Sequence, residues 1–200
     1  MTLATPLTDR FNHLYQLISS DRFLKQQGFV KDTPFFICPH QPSEAVAMER
    51  MIQHLINKLA QTGVQVLEIN LYDLAVEILK TNDDWDWYVA EEPRMTKQEL
   101  QEELQSILDI ETVFIPAMAQ KIAQQDPDVI FITGVGAVYP YIRSHNVLNN
   151  LQRTVKERPL VMFFPGAYTH SPESGASLDL FGRLHDDKYY RAFNIFHCEI

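Results

Sequence analysis

A glycine-containing turn after an apolar segment is the feature of this sequence best suited to chemistry. Gly134 and Gly136 follow the apolar residues 129–132 and precede a predicted helix that begins at about Tyr139. Backbone N–H groups at a helix N-terminus hold anions, and Arg143, predicted one to two turns into the helix, could pair with one. The third glycine of the dinucleotide-binding fingerprint is absent, because Tyr139 occupies its place. Two interpretations stay open: a tight turn with Arg143 in a surface ion pair, or an anion site.

Hydrolytic and metal-dependent chemistry find little support in the residue pattern. The sequence contains no phosphate loop of the form Gly-x-x-x-x-Gly-Lys-Ser/Thr and no Gly-x-Ser-x-Gly nucleophile elbow. His40 and His170 could both lie at the carboxyl edge of a sheet, but their spacing carries no metal-ligand signature. We therefore predict no catalytic residues, no metal and no cofactor, in a protein that is not an enzyme.

Length and charge restrict the classes of protein to consider. With 200 residues, of which 46% are hydrophobic and 22% charged, the chain fits one globular domain with a buried core. The net charge of −9 argues against direct nucleic-acid binding, because that affinity comes mainly from Lys and Arg. No apolar run approaches the roughly eighteen residues of a membrane span, and the first ten residues lack a signal-peptide pattern. Cys38 and Cys198 are predicted to be buried free thiols, which favours a cytoplasmic protein.

The elements that must position these residues alternate between helices and short apolar strands. This alternation predicts an α/β fold: a single domain with a mostly parallel sheet of about five strands, covered by helices on both faces. The topology is nucleotide-binding-like but has no phosphate loop. Periodicity and turn signals predict strands over 34–39, 64–71, 129–132, 160–164 and 193–198, helices over 7–18, 43–63, 72–80, 116–124 and 139–154, and a loop over 167–177. Thr8 or Asp9 is expected to cap the first helix and Ser43 the second.

Residues 82–111 form an acidic segment, predicted to be a mostly helical insertion in the domain of residues 1–200. The segment holds ten acidic and two basic residues. Near its start, Trp85, Trp87 and Tyr88 mix large aromatic side chains with charge, a composition favoured at protein interfaces. We weigh two interpretations equally: the rings bind a partner, or they fold back over the sheet. Tyr190 and Arg191 in the tail pose a similar choice between a structural hairpin and a recognition surface.

Three motifs in the second half of the chain resemble those of the BrxB family of BREX phage-exclusion systems. The segment 134–143 resembles the family's Gly-x-Gly-Ser-x-(Tyr/Phe)-Pro-(Phe/Tyr)-x-Arg motif, with Ala137 where a small hydroxyl residue is expected. The Phe-(Phe/Tyr)-Pro-Gly signature is matched by Phe164, Pro165 and Gly166 with the phenylalanine before them. The stretch 180–194 resembles the family's closing motif. The likeness is best from about Asp128 to the end of the chain.

The resemblance implies a role within a bacteriophage-defence complex. It suggests a non-catalytic assembly or adaptor subunit, in a system whose methyltransferase, ATPase and alkaline-phosphatase-like PglZ subunits carry the chemistry. Docking of the PglZ-like subunit is the expected task, with other BREX proteins as further partners. The alternatives are a degenerate nucleotide- or anion-binding domain with a regulatory role in the same system, and a nucleic-acid contact through a basic strip. That strip would comprise Arg143, Arg153, Lys156 and Arg158.

Overall fold

The computed structural model describes residues 5–27, 35–155, 157–171, 175–186 and 192–200. The α-helices are α1 (Leu7–Ile18), α2 (Asp21–Leu24), α3 (Ala45–Gln61), α4 (Leu71–Thr81), α5 (Trp85–Glu91), α6 (Lys97–Ile107), α7 (Ile115–Gln125) and α8 (Ser144–Thr154). The strands are β1 (Phe35–His40), β2 (Val66–Asn70), β3 (Val129–Thr133), β4 (Leu160–Ser171), β5 (Gly175–Leu180), β6 (Leu184–Asp186) and β7 (Phe193–Asn194). Short 3-10 turns occupy Pro42–Glu44, Glu92–Arg94 and Ile195–His197, and a π-helical turn occupies Ile110–Phe114.

Five of the strands form a parallel sheet in the order β2-β3-β4-β1-β7. The longest register joins β1 to β4, from Phe35 opposite Leu160 to His40 opposite Pro165. Two further strands, β5 and β6, add an antiparallel hairpin to the extension of β4. The predicted α/β class and mostly parallel sheet are therefore confirmed. None of the described helices is both long and apolar enough to cross a bilayer.

Helices cover both faces of the sheet, which explains the near-continuous apolar strands. Alternate residues of β1 serve the two faces: Phe35 and Ile37 pack with the layer of α4 to α8, and Phe36 and Cys38 pack with α1 to α3. Both sets are fully buried. Parallel strands covered in this way lose the polar alternation of half-exposed strands.

The helix predicted from about Tyr139 begins later, at Ser144. Residues 134–142 form a succession of turns, in which the backbone N–H of Ala137 donates to the carbonyl of Gly134 and that of Ile142 donates to Val138. Val138 and Ile142 are buried in the core. Tertiary packing of these apolar side chains holds the turns. The spacing of apolar residues alone could not distinguish them from a helix.

The loop predicted over 167–177 was wrong, because β4 continues to Ser171 and pairs with β5. Gly166 permits the close cross-strand approach, since a Cβ there would lie 2.1 Å from the carbonyl oxygen of Asp179. Tyr168 on the extension is buried and donates its hydroxyl to the carbonyl of Ala192, 2.6 Å away. Beyond Pro165, β4 has no further parallel pairing with β1 and takes an antiparallel partner instead.

Three element boundaries also differ from expectation. The N-cap of α1 is Pro6, without a side-chain cap, so neither Thr8 nor Asp9 serves. Ahead of α3, Gln41 caps the 3-10 turn in a reciprocal capping box with Glu44, which replaces the predicted cap at Ser43. The last predicted strand shortens to β7, because the Asn194 side chain accepts a hydrogen bond from the N–H of Phe196 and starts a 3-10 turn.

Candidate functional site

A crevice of about 840 Å³ opens at the carboxyl edge of the parallel sheet. The chain leaves β1 for α3 on one face and leaves β2 for α4 on the other, so the crevice lies between two helices that diverge from the same edge. Such divergence points are where open parallel α/β sheets bind their ligands. The tertiary structure therefore places the main candidate site where the topology predicts it.

Carboxylates make up four of the five Asp, Glu, Lys and Arg residues that line this crevice. Glu49 comes from α3, Glu68 from β2, and Asp73 and Glu77 from α4. The carboxylate of Glu77 is paired with Lys121 at 2.7 Å. Glu68 is held on both oxygens, by the amide of Gln53 at 2.6 Å and the hydroxyl of Thr133 at 2.8 Å. An anion would meet four carboxylates here, so the crevice disfavours phosphate.

The two glycines of the candidate anion turn have packing reasons for being glycine. Gly134 has φ +70°, and a Cβ there would lie 2.1 Å from Oδ1 of Asn70, which caps α4 through the N–H groups of Tyr72 and Asp73. A Cβ on Gly136 would lie 2.9 Å from the ring of Phe181. Residues 137–143 separate this turn from α8, so neither glycine lies at the helix N-terminus that the anion interpretation requires.

Arg143 lies in the N-cap position of α8, whereas the sequence predicts it one to two turns into the helix. It lines a separate pocket of about 240 Å³, whose lining includes Ser144 and Arg183 but neither Gly134 nor Gly136. Sequence reasoning missed that Arg143 and Arg183 line one pocket, because it predicted Arg143 inside a helix and a loop over 167–177 in place of the pairing of β4 with β5. The only signal was the position of Arg183 within the family-like closing stretch.

His40 is the most deeply buried titratable group that lines the crevice. It lies at the end of β1, is 6% exposed, and its Nδ1 lies 3.1 Å from the carbonyl oxygen of Gln41. That contact makes Nδ1 the protonated nitrogen and leaves Nε2 as an acceptor, with no hydrogen-bond partner among the described residues. Burial lowers the pKa of His40, which keeps the imidazole neutral.

A buried ion pair lies behind His40 and fixes the chain that follows β1. Nη2 of Arg10 donates to Oε1 of Glu44 at 2.6 Å, and the Arg10 side chain is 1% exposed. The other carboxylate oxygen of Glu44 accepts the backbone N–H of Gln41. Nε and Nη1 of Arg10 are buried without a partner in the described parts of the chain. The pair therefore positions residues 40–44 and carries two unsatisfied donors.

The aromatic residues of the acidic segment divide between core and surface. Tyr88 is buried and Trp85 is half-buried, and both pack against the α4–α8 layer; Lys80 lies over the Trp85 ring. Trp87 is 52% exposed and its neighbour Val89 is 54% exposed. Tyr88 and Trp85 thus fold back onto the core, and Trp87 is left exposed where a partner could reach it. Tyr190 and Arg191 fall outside the described residues.

The family-like signature around β4 has a structural explanation. Phe164 is fully buried, Pro165 is paired with His40 and lines the crevice, and Gly166 lies against β5.

The two cysteines are free: Cys38 is buried and Cys198 is partly buried. Burial raises the pKa of the Cys198 thiol to about 11, and that of Cys38 still further. Within the described ranges, no three His, Cys, Asp or Glu side chains are grouped to hold a metal ion.

Comparison with known proteins identifies relatives over nearly the whole chain. The profile of the family described as "BREX protein BrxB" matches residues 67–195. A "BREX protein BrxB" from Bacillus cereus (strain H3081.97) is 31% identical over 94% of this chain and 97% of its own length. Another protein of that name, from Escherichia coli O9:H4 (strain HS), is 24% identical over 93% of this chain and 90% of its own. No solved structure matches significantly. The chain thus belongs to the BrxB family of BREX proteins.

Proposed function

We propose that the chain is a non-catalytic assembly subunit of a BREX bacteriophage-defence complex, acting in the cytoplasm by docking the alkaline-phosphatase-like PglZ subunit. Membership in the BrxB family supports a role as a BREX component. The observation that carries the docking proposal is the exposed pair Trp87 and Val89 on α5, within the acidic segment. Exposed tryptophans are frequent interface anchors, because they bury large areas with few rotatable bonds.

The chemistry of the crevice supports the non-catalytic part of the proposal. Nucleotide-binding sheets place N–H donors and basic side chains at this edge, to hold phosphates. Here the same edge presents Glu49, Glu68, Asp73 and Glu77, with Lys121 already paired to one of them. This arrangement suits recognition of a donor group better than phosphate chemistry.

Co-purification tests the docking proposal. The purified chain is mixed with the PglZ-like protein encoded beside it at micromolar concentrations, and co-elution is followed by size-exclusion chromatography. We expect a complex that Trp87→Ala weakens at least tenfold, while Ile200→Ala, which removes another exposed apolar side chain, has no effect. Thermal unfolding of both variants should match the wild type, because neither side chain is buried. Absence of any wild-type complex would refute PglZ docking.

A regulatory anion site is a second candidate function, and one observation favours it. Arg143 and Arg183 line the small pocket beside Ser144, where the N-terminus of α8 adds a partial positive charge. An anion site in this protein would therefore lie there and not at Gly134. Thermal shift with ATP or GTP and magnesium tests it, since binding to the native state raises the melting temperature. A shift lost in Arg143→Gln supports the site, and no shift at millimolar nucleotide removes it.

A further inference from the structure

The crevice at the carboxyl edge offers hydrogen-bond acceptors whose local partners do not saturate them. Glu68 and Glu77 are engaged by neighbouring side chains. Glu49 and Asp73 are different: both are exposed, they lie on the two helices that bound the crevice, and neither carboxylate has a hydrogen-bond partner among the described residues. Two open carboxylates therefore flank the same cavity.

His40 supplies a third acceptor, independent of the acidic side chains. It is more than nine-tenths buried and lines the crevice. Because its Nδ1 is committed to the Gln41 carbonyl, its remaining polar atom is the lone pair of Nε2. That lone pair is available to a donor that enters the crevice. His40 and the two carboxylates are therefore all acceptors, and all three suit a ligand that carries hydrogen-bond donors.

Exposed apolar side chains at the crevice favour a ligand whose charged group is attached through a nonpolar chain. Val46, in the first turn of α3, is 64% exposed and Phe181 is 38% exposed. Phe181 has φ +56°, a conformation strained for an aromatic residue, and its N–H donates to the Pro165 carbonyl at 2.8 Å. Its ring packs on Gly136. Strain of this kind persists where the surroundings impose it, often at functional sites.

The geometry points to this crevice as a receptor for an arginine side chain of a protein partner, with its guanidinium between Glu49, Asp73 and His40 and its stem against Val46 and Phe181. Arginine fits better than lysine because its planar fork carries five donors and stacks on aromatic rings. The four carboxylates repel nucleic acid, so the partner is a protein. The identity of that partner as the PglZ-like subunit rests on the proposed function; the crevice chemistry does not.

A first experiment tests the crevice without any partner protein. N-acetyl-arginine amide and its neutral analogue N-acetyl-citrulline amide are titrated to millimolar concentration, and backbone amide NMR shifts are followed. We expect the arginine probe to shift the amide resonances of residues 46–53 and 70–77 in the wild type but not in Glu49→Gln/Asp73→Asn. The citrulline probe should shift these resonances in neither protein. Equal shifts from both probes, persistence in the double variant, or an equal response to spermidine would each overturn the arginine assignment.

A second experiment measures the dissociation constant for the PglZ-like subunit. We expect Glu49→Gln/Asp73→Asn to raise it at least tenfold at low salt and to flatten its dependence on sodium chloride. The control Glu157→Gln/Glu199→Gln removes the same number of exposed carboxylates from outside both the crevice lining and the acidic segment, and its dissociation constant should stay within twofold of the wild-type value. A wild-type complex that the crevice variant leaves unchanged overturns the inference. A missing wild-type complex overturns PglZ docking alone, because the probe titration decides the crevice.

Discussion

The ion pair of Arg10 and Glu44 should respond unequally to removal of its two members. Arg10 is 1% exposed and has two buried nitrogens without partners, whereas Glu44 retains 29% of its side-chain exposure. Glu44→Gln leaves a fully buried guanidinium without its counter-charge. Arg10→Met removes the buried charge and both unsatisfied donors, and leaves a carboxylate that water can reach. We therefore expect the substitution at the more exposed residue to be the more harmful one.

The magnitude follows from the burial of the pair. Removing one partner of a fully buried ion pair costs about 3–5 kcal/mol. Water reaches Glu44, which reduces this figure, so we expect Glu44→Gln to lower the free energy of unfolding by about 2–3 kcal/mol. In a domain of this size that corresponds to about 5–10 °C in melting temperature. Arg10→Met should cost no more than about 1 kcal/mol, because the apolar side chain occupies a similar volume.

Urea unfolding followed by tryptophan fluorescence measures both variants and the double variant Arg10→Met/Glu44→Gln. The double variant should resemble Arg10→Met, giving a coupling energy of about 2–3 kcal/mol, equal to the whole cost of Glu44→Gln. An Arg10→Met cost that equals or exceeds that of Glu44→Gln would refute the reasoning. It would mean that the guanidinium is fully satisfied and contributes net stability.

The pH dependence provides a second check on the same pair. Burial by itself raises the pKa of Glu44, but the hydrogen bonds from Arg10 and Gln41 and the positive charge of Arg10 outweigh it, so the pKa lies below its ordinary 4.5. A carboxylate with a lowered folded-state pKa contributes stability above pH 4.5 and loses it as the pH falls through the folded-state value. The difference in unfolding free energy between the wild type and Glu44→Gln should therefore be constant near neutral pH and should become smaller below pH 4.5.

Three further predictions concern single side chains. Gly134→Ala should lower the free energy of unfolding by about 2–3 kcal/mol, since it combines backbone strain with displacement of the Asn70 cap. The control Gly63→Ala, also at positive φ but with nothing within 4 Å of the added Cβ, should lower it by only about 1 kcal/mol. Equal losses for the two variants in urea unfolding would contradict the packing role of Gly134. Tyr168→Phe should cost about 1–2 kcal/mol by loss of the hydroxyl's bond to Ala192. Because burial raises the pKa of Tyr168 to about 12, its share of stability is fully present below pH 10 and is lost toward pH 12, a decline that Tyr168→Phe should lack. Tyr88→Ala should lower the melting temperature while Trp87→Ala leaves it unchanged, because only Tyr88 is buried; equal shifts in a thermal melt would contradict this division.

Much of the architecture follows from local patterns. The helical stripe of α3 ends at Gly63 with φ +84°, and the apolar runs of β1 and β3 coincide with fully buried strands. These elements are predictable because burial imposes its period directly on the chain. The prediction failed at residues 139–143, where tertiary packing holds turns in place of the predicted start of a helix, and at 167–171, where a strand continues by changing partners. Pairing between distant segments leaves no local periodicity.

The candidate site divides in the same way. The sequence by itself determined the α/β class, the likeness to the BrxB family and the acidic character of the chain, because composition, periodicity and motif order are properties of the chain. It also singled out Gly134, Gly136 and Arg143, but grouped the three residues in a single candidate anion site. Only the tertiary structure separated Arg143 from the glycines and placed it in one pocket with Arg183. It also brought Glu49, Asp73 and His40 around one crevice. Those groupings depend on strand order and helix direction, which are set by contacts between residues far apart in sequence.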